Sequence, residues 1–127
     1  MATVALTKET FDETIEKNDI VIIDFWADWC GPCKSFAPVY EATSAKHPDI
    51  VFAKVDTEAQ PELAAGFQIK SIPTLLIFRE QIGIFMQPGS LPAQALEEIV
   101  GQVKALDMED VRKEMANHEH GEDCDHD

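Results

Sequence analysis

The chain has 127 residues, enough for one domain that buries a substantial core without disulfide staples. Its formal net charge of −14 argues against nucleic acid and anionic membranes as partners, because both are normally recognised by a basic surface. Its three cysteines do not form the disulfide framework of a small secreted protein, and no signal peptide or membrane-spanning stretch is visible. We therefore expect a cytoplasmic protein in a reducing compartment.

The predicted elements alternate between strand and helix along the first half of the chain. Phe11 and Ile15, four residues apart, give the first helix its inward face, and Thr7 is a suitable N-cap. The run 20–23 is too short and too β-branched for a helix, so we expect a strand buried on both faces. Pro38 falls inside the second helix, where we expect a bend. In chain order, these elements are an edge strand at 4–6, a helix from Thr7 to Asn18, a strand at 20–23 and a helix from Cys33 toward His47.

The second half of the chain predicts one more parallel strand, a short helix, an antiparallel hairpin and a last helix. The helical connection back to strand 50–56 implies that it pairs in parallel with strand 20–23. Pro92 is expected at the first position of the last helix. Strands and helices in alternation predict an α/β fold with its active loop at the carboxyl edge of the sheet. The remaining elements are a helix at 58–66, hairpin strands at 74–78 and 82–86, and a last helix with Leu96, Ile99, Val100 and Val103 on one face.

Two thiols three residues apart, Cys30 and Cys33, stand between the central strand and the helix that follows it. Cys30 would lie at the helix N-terminus, where free N–H groups and peptide dipoles favour a thiolate, so we expect it to be the nucleophile. Cys33, one turn later on the same side and deeper, is then the resolving thiol. Gly31 and Pro32 build a turn into the helix, because proline loses no hydrogen bond at that position.

The spacing alone leaves other uses of a C-x-x-C motif open, including zinc, iron–sulfur and c-type haem sites. A zinc ribbon needs a second cysteine pair, and the remaining Cys124 lies in a polar tail with no such partner. Haem attachment requires a histidine after the second cysteine, where this chain has Lys34. Zinc-ribbon and haem sites are therefore disfavoured relative to a redox pair.

The segment Asp24–Lys34, followed later by Ile72–Thr74 and by Gly89, resembles the thioredoxin family over about residues 3–105. The resemblance implies a thioredoxin fold, in which a central mixed β-sheet is flanked by helices on both faces. It also implies a protein-disulfide reductase that works by dithiol–disulfide exchange, with an NADPH-dependent thioredoxin reductase as electron donor. We further expect a monomer that binds no cofactor.

Asp24 ends an otherwise apolar strand, where burial would penalise its charged form and raise its pKa toward neutrality. From the residues alone, it could equally cap the following turn. The resemblance favours a general base that exchanges the Cys33 proton, through a water molecule. Lys54 on the neighbouring strand is the expected charge partner that limits this rise in pKa, although its amine could instead extend to the strand edge.

An apolar collar is expected around the thiols, where a substrate disulfide would dock. The Ile72–Pro73 bond is cis in the resembling family, and a cis bond would present the backbone there to an extended substrate. Trp29 and Gly89 could equally be ordinary packing and an ordinary loop glycine. Pro88 stands where proteins of the resembling family usually have an aliphatic residue. We therefore expect that this chain can differ from them in its choice of partner. The expected substrate-binding residues are Trp29, Gly31, Pro32, Ile72, Pro73, Pro88 and Gly89.

We divide the chain into a thioredoxin-like domain at 1–106, a helical extension at 107–116 and an acidic tail at 117–127. The tail holds three of the four histidines together with Cys124, and these are plausible ligands for zinc, nickel or copper. It has no apolar residues to fix a geometry, so we expect it to be disordered and assign no metal site. The alternative function is a binding module or metal-handling protein that acts through this tail.

Overall fold

The computed structural model describes the backbone of residues 3–125 and the side chains of residues 3–116. The chain divides into two compact units, Met1–Glu97 and Glu98–Asp127. In chain order, the elements are β1 (Thr3–Ala5), α1 (Lys8–Lys17), β2 (Ile20–Trp26), α2 (Gly31–Lys46), β3 (Val51–Asp56), α3 (Pro61–Gly66), β4 (Thr74–Arg79), β5 (Ile82–Pro88), α4 (Ala93–Ala105) and α5 (Met108–Asp125). The second unit contains all of α5 and all but the first five residues of α4.

The five strands form one mixed sheet in the order β1-β3-β2-β4-β5. β3 pairs in parallel with β1 and β2, whereas β2 with β4 and β4 with β5 are antiparallel. Every residue of β2 except Trp26 is buried, as its run of β-branched side chains predicts for a strand covered on both faces. The predicted parallel pair, antiparallel hairpin and thioredoxin fold are therefore confirmed.

One face of the sheet packs against α1 and α3. Phe11 and Ile15 of α1 are buried there, as predicted, with Ile23 and Phe25 of β2. The Phe11 ring lies 5.3 Å from that of Phe67, the residue that ends α3. Aromatic packing between neighbouring elements thus contributes to a core that is otherwise mostly aliphatic on this face.

The opposite face of the sheet packs against α2. The ring centroid of Tyr40 lies 5.6 Å from that of Phe36 on the same helix and 5.4 Å from that of Phe52 on β3. Because side chains alternate between the two faces of a strand, Ile22 and Asp24 of β2 also point to this side. The carboxyl of Asp24 therefore lies in the layer between the sheet and α2.

Two helices begin later than the sequence predicts. α3 begins at Pro61 and not at Glu58, because the Asp56 carboxylate accepts the Glu58 N–H at 2.9 Å and holds that segment in a turn. α4 begins one residue after Pro92, whose carbonyl accepts the N–H of Leu96 at 3.1 Å. Pro92 is therefore the N-cap and not the first helical residue.

The second unit contains the rest of α4 and all of α5. On the predicted apolar face of α4, Val100 and Val103 are buried and Ile99 is partly buried. The helical assignment of α5 continues to Asp125, but the side chains of the tail lie outside the described residues. The three-part division of the chain and the disorder of its tail stay predictions. Within the described part of the chain, no helix is long and apolar enough to cross a bilayer.

The β4–β5 hairpin turns through Glu80 and Gln81, whose φ angles of 50° and 70° are both positive. Positive φ at both central residues is what a type I′ turn requires, and glycine is strongly favoured at the second position. The Gln81 amide donates to the Glu16 carbonyl at 3.2 Å, and the Glu80 N–H donates to the Asp19 carbonyl at 2.7 Å. The hairpin is thus hydrogen-bonded to the last turn of α1 and to the residue before β2.

Replacing Gln81 by glycine is expected to raise the free energy of unfolding by about 1 kcal/mol, because glycine has no Cβ to crowd the left-handed conformation. Gln81→Ala is the matched control, since it keeps the Cβ and loses only the side-chain hydrogen bond. Denaturant unfolding of both variants provides the measurement. A Gln81→Gly protein less stable than Gln81→Ala would contradict the strain argument.

Candidate active site

Cys30 is the N-cap of α2, shortly after the carboxyl end of β2. Its sulfur accepts the N–H of Cys33 at 3.1 Å, and its carbonyl accepts the N–H of Lys34 at 3.2 Å. Backbone N–H groups and the helix dipole at this position favour a negative charge on the sulfur. The strand-to-helix junction expected from the sequence is therefore confirmed.

Cys30 and Cys33 are joined by a disulfide, with their Cα atoms 5.2 Å apart. The sequence predicts that Cys33 lies deeper, yet the exposed fractions of the two residues are nearly equal, at 4% and 3%. They differ in their surroundings. The Cys30 sulfur lies 3.6 Å from the carbonyl oxygen of Ile72, whereas Cys33 lines a cavity together with Lys54.

Gly31 and Pro32 occupy the first turn of α2 and are both exposed. Proline fits this turn because its missing N–H would have no partner within the helix. A Cβ added at Gly31 would meet nothing within 4 Å. The free surface beside the disulfide is therefore open to a docking partner at both residues.

The loop before β4 lies against the disulfide. The Ile72–Pro73 peptide bond is cis, as the resemblance implies, and the Pro73 carbonyl accepts the N–H of Gly89 at 2.8 Å. Gly89 has a φ of 98°, a conformation that favours glycine. Pro88 joins this group as the last residue of β5, paired opposite the start of β4. The structure thus brings Ile72, Pro73, Pro88 and Gly89 together at the start of β4, and the Ile72 carbonyl connects this group to the disulfide.

Trp29 is 69% exposed, and its indole N–H donates to the carboxylate of Glu58 at 2.8 Å. A cavity of about 300 Å³ lies between Trp29 and Ile72. Glu58 is missing from the sequence-based site, because nothing in the sequence places position 58 next to the motif. The lining residues are Trp29, Thr57, Ala64, Ile69, Lys70, Ser71 and Ile72.

Asp24 is only 1% exposed, and neither carboxylate oxygen has a hydrogen-bond partner among the described residues. Burial raises the pKa of Asp24 to about 7, and the positive charge of Lys54 opposes part of that rise. Lys54 lies opposite Asp24 in the parallel register of β2 and β3, and its ammonium lies 4.9 Å from the centroid of the Trp26 ring. The structure therefore has both the predicted rise in the pKa of Asp24 and the positive charge of Lys54 that opposes it.

Cys33 and Lys54 both line a cavity of about 100 Å³ behind the disulfide. It is large enough to hold water, and its lining includes charged groups that could bind it. The ring of Trp26 forms part of the wall beneath the active loop. The lining residues are Trp26, Ala27, Asp28, Cys33, Lys34, Ala37 and Lys54.

Known proteins share both this fold and this cysteine pair. The thioredoxin family model matches residues 2–102 of the chain. The chain belongs to the thioredoxin family. A thioredoxin homologue from Streptomyces coelicolor is 61% identical over 115 residues, which cover 91% of this chain and 86% of that protein. Thioredoxin C-3 from Corynebacterium nephridii is 39% identical over 100 residues, or 78% of this chain and 69% of that one.

Solved structures agree with this membership. Plasmodium falciparum thioredoxin superposes with a TM-score of 0.73 at 33% identity, over 79% of this chain and 97% of that one. This thioredoxin-family protein is a thiol–disulfide oxidoreductase that reduces protein disulfides through Cys30 and Cys33. The alternative of a binding or metal-handling module is not favoured. Among the described residues, no cluster of three or more His, Cys, Asp or Glu could hold a metal, and the tail ligands lie outside them.

Tyr40 is a second residue that the sequence did not assign to the site. It was expected only in the helix that follows the motif, and its hydroxyl contacts backbone carbonyls of β2 and β3. The sequence does contain a signal for Tyr40, which follows Cys33 by seven residues and so lies on the same helix face. A tyrosine buried there needs a hydrogen-bond partner for its hydroxyl.

Asp24→Asn is expected to stabilise the oxidised protein at about pH 8 by up to about 4 kcal/mol. The folded-state pKa of about 7 exceeds the usual value of 3.8. Between these two values the folded protein binds more protons than the unfolded chain, so the wild type loses stability as pH rises. Well below pH 3.8, the carboxyl is protonated in both states and the pH-dependent difference between the two proteins should disappear.

Denaturant unfolding of the wild type and Asp24→Asn, at several pH values between about 4 and 8, tests this linkage. Asp28→Asn is the matched control, because Asp28 is an exposed carboxyl four residues later, between β2 and α2. A stability difference for Asp24→Asn that does not change with pH would contradict a raised pKa.

Proposed function

We propose that this protein works as a monomer in the cytoplasm and that an NADPH-dependent thioredoxin reductase recharges it. The observation that carries its reductase role is the Cys30–Cys33 pair at the N-terminus of α2, with the Ile72 carbonyl 3.6 Å from the Cys30 sulfur. Family membership supports disulfide substrates and a reductase partner in general. The net charge of −14 supports protein partners over nucleic acid or an anionic membrane.

In the first step, the Cys30 thiolate attacks one sulfur of a substrate disulfide. A bond forms between that sulfur and Cys30, and the other substrate sulfur leaves as a thiolate. The N–H of Cys33, 3.1 Å from the Cys30 sulfur in the oxidised protein, supports the attacking anion from the helix N-terminus. The product is a mixed disulfide that leaves Cys33 as a free thiol.

In the second step, Cys33 gives its proton to Asp24 and attacks the Cys30 sulfur. The bond between Cys30 and the substrate breaks, the substrate leaves as a thiolate, and two electrons have passed to it. The cavity of about 100 Å³ beside Cys33 and Lys54 has room for a water molecule next to the thiol, although Asp24 is not among its lining residues. A carboxyl with a pKa of about 7 can both accept and release a proton near neutral pH, and the charge of Lys54 favours its ionised form.

We assign substrate docking to the residues that surround the disulfide. An extended peptide would lie along the Ile72 backbone, and the cavity of about 300 Å³ would take a side chain next to the substrate disulfide. The exposed indole of Trp29, held by Glu58, supports this docking surface because it presents a large, fixed apolar face. The docking residues are Trp29, Gly31, Pro32, Ile72, Pro73, Pro88 and Gly89.

Asp24→Asn is expected to slow resolution of the mixed disulfide by about tenfold or more, because only that step requires Cys33 to lose a proton. Formation of the mixed disulfide should stay within about twofold of wild type. Formation is measured in the Cys33→Ser background, where the intermediate accumulates, and resolution by stopped-flow release of a fluorescent peptide thiol. Cys30→Ser, which should be inactive in insulin reduction by dithiothreitol, is the negative control. Equal slowing of both steps would refute the base assignment.

Trp29→Ala is expected to raise KM for a peptide disulfide about tenfold, because the peptide loses its largest apolar contact. The rate with a small symmetric disulfide should stay within about twofold, since such a substrate does not fill the cavity. Val4→Ala is the matched control, because Val4 is 46% exposed on the edge strand β1. A proportional loss with both substrates would show that Trp29 acts on the cysteine pair and not on docking.

A further inference from the structure

Tyr40 lies at a buried junction between α2 and the two central strands. Its side chain is completely buried, and its hydroxyl lies 2.8 Å from the carbonyl oxygen of Ile22 and 2.7 Å from that of Ala53. The hydroxyl has one proton, so it donates to one carbonyl at a time while lying between both. This single hydroxyl therefore links α2 to β2 or to β3 through one hydrogen bond at a time, with its oxygen placed between the two strands.

The junction lies one layer beneath Cys33 and Asp24. Asp24 follows Ile22 by two residues and so points to the same face of β2. Tyr40 follows Cys33 by seven residues, about two helical turns, and so lies on the same face of α2. β2 runs toward the disulfide and α2 runs away from it. The Tyr40–Ile22 contact and the space between Cys33 and Asp24 therefore both lie between β2 and α2.

The hydroxyl is a permanent donor at this position. Burial raises the pKa of Tyr40 well above its usual value, and the negative charge of Asp24 raises it further. Tyr40 therefore keeps its proton throughout the pH range in which Asp24 titrates.

We propose that Tyr40 is a positioning residue for the proton transfer between Cys33 and Asp24. Its hydroxyl fixes the separation of α2 from β2, and hence the separation of the thiol from the carboxyl, by holding the strand through its backbone. The inference rests on the proposed role of Asp24 as the base. The competing explanation is that Tyr40 only fills the core, where its ring already packs against Phe36 and Phe52.

Tyr40→Phe distinguishes these explanations, because it removes the hydroxyl and keeps the ring. Resolution of the mixed disulfide is expected to slow by about tenfold, since a displacement of less than an ångström between reacting groups is enough for that loss. Formation of the mixed disulfide should match the wild type, and the pH–rate profile of resolution should shift. In the Asp24→Asn background, Tyr40→Phe should slow resolution no further.

Ser44→Ala is the matched control on the same helix. Ser44 is 3% exposed, and its hydroxyl donates to the Glu41 carbonyl at 2.6 Å, a bond that stays within α2. This variant also loses one buried hydroxyl from α2 but no hydrogen bond to the sheet. Its resolution rate should equal that of the wild type. Denaturant unfolding of both variants checks that each one folds.

Two results would overturn the inference about Tyr40. One is a Tyr40→Phe protein that loses stability but keeps the wild-type resolution rate and pH profile. The other is a Tyr40→Phe substitution that slows resolution by the same factor in the wild type and in the Asp24→Asn background. If Asp24→Asn slows resolution selectively while Tyr40→Phe does not, only this inference fails. If Asp24→Asn does not slow resolution selectively, the base assignment fails and the role of Tyr40 fails with it.

Discussion

The hydrogen bond from the Cys33 N–H to the Cys30 sulfur depends on where β2 ends and α2 begins. A sulfur at that junction receives the free N–H groups of the first helical turn, which favour its anionic form. The fold keeps the junction in place by burying β2 between two neighbouring strands and two helical layers. Most of the core therefore serves to hold one sulfur at one helix terminus.

The same central strand holds a group that weakens the fold. Asp24 is buried without a hydrogen-bond partner among the described residues, and its ionisation near neutral pH costs stability that an apolar residue would not lose. Lys54 offsets part of this cost across the sheet. Such an arrangement makes sense when the carboxyl is needed in both protonation states, as a proton acceptor for Cys33 would be.

Local signals in the sequence were enough to predict the central strand, the helix after the motif and the direction of the Asp24 pKa. They failed where distant residues meet. The position of the Trp29 ring depends on Glu58, which lies 29 residues later in the chain. The late start of α3 is a different kind of miss, because there the Asp56 carboxylate caps a local turn at Glu58. The contact of Tyr40 depends on the β2–β3 register that brings two carbonyls together. The Trp29 and Tyr40 contacts arise only when the sheet has formed. Spacing can place Tyr40 on the helix face of Cys33, but it does not reveal which carbonyls the hydroxyl meets.

The chemical groups and the docking groups belong to different parts of the molecule. Both cysteines, Asp24 and Lys54 lie on β2, on β3 or at the start of α2, where burial and sheet pairing fix them. The proposed docking surface comes mostly from loop residues and strand ends, including the exposed Pro88, and only Gly31 and Pro32 share the first turn of α2 with the cysteines. A substitution in those loops can alter which partners fit without moving the sulfur or the carboxyl. The fold can therefore keep one exchange reaction while the choice of substrate changes.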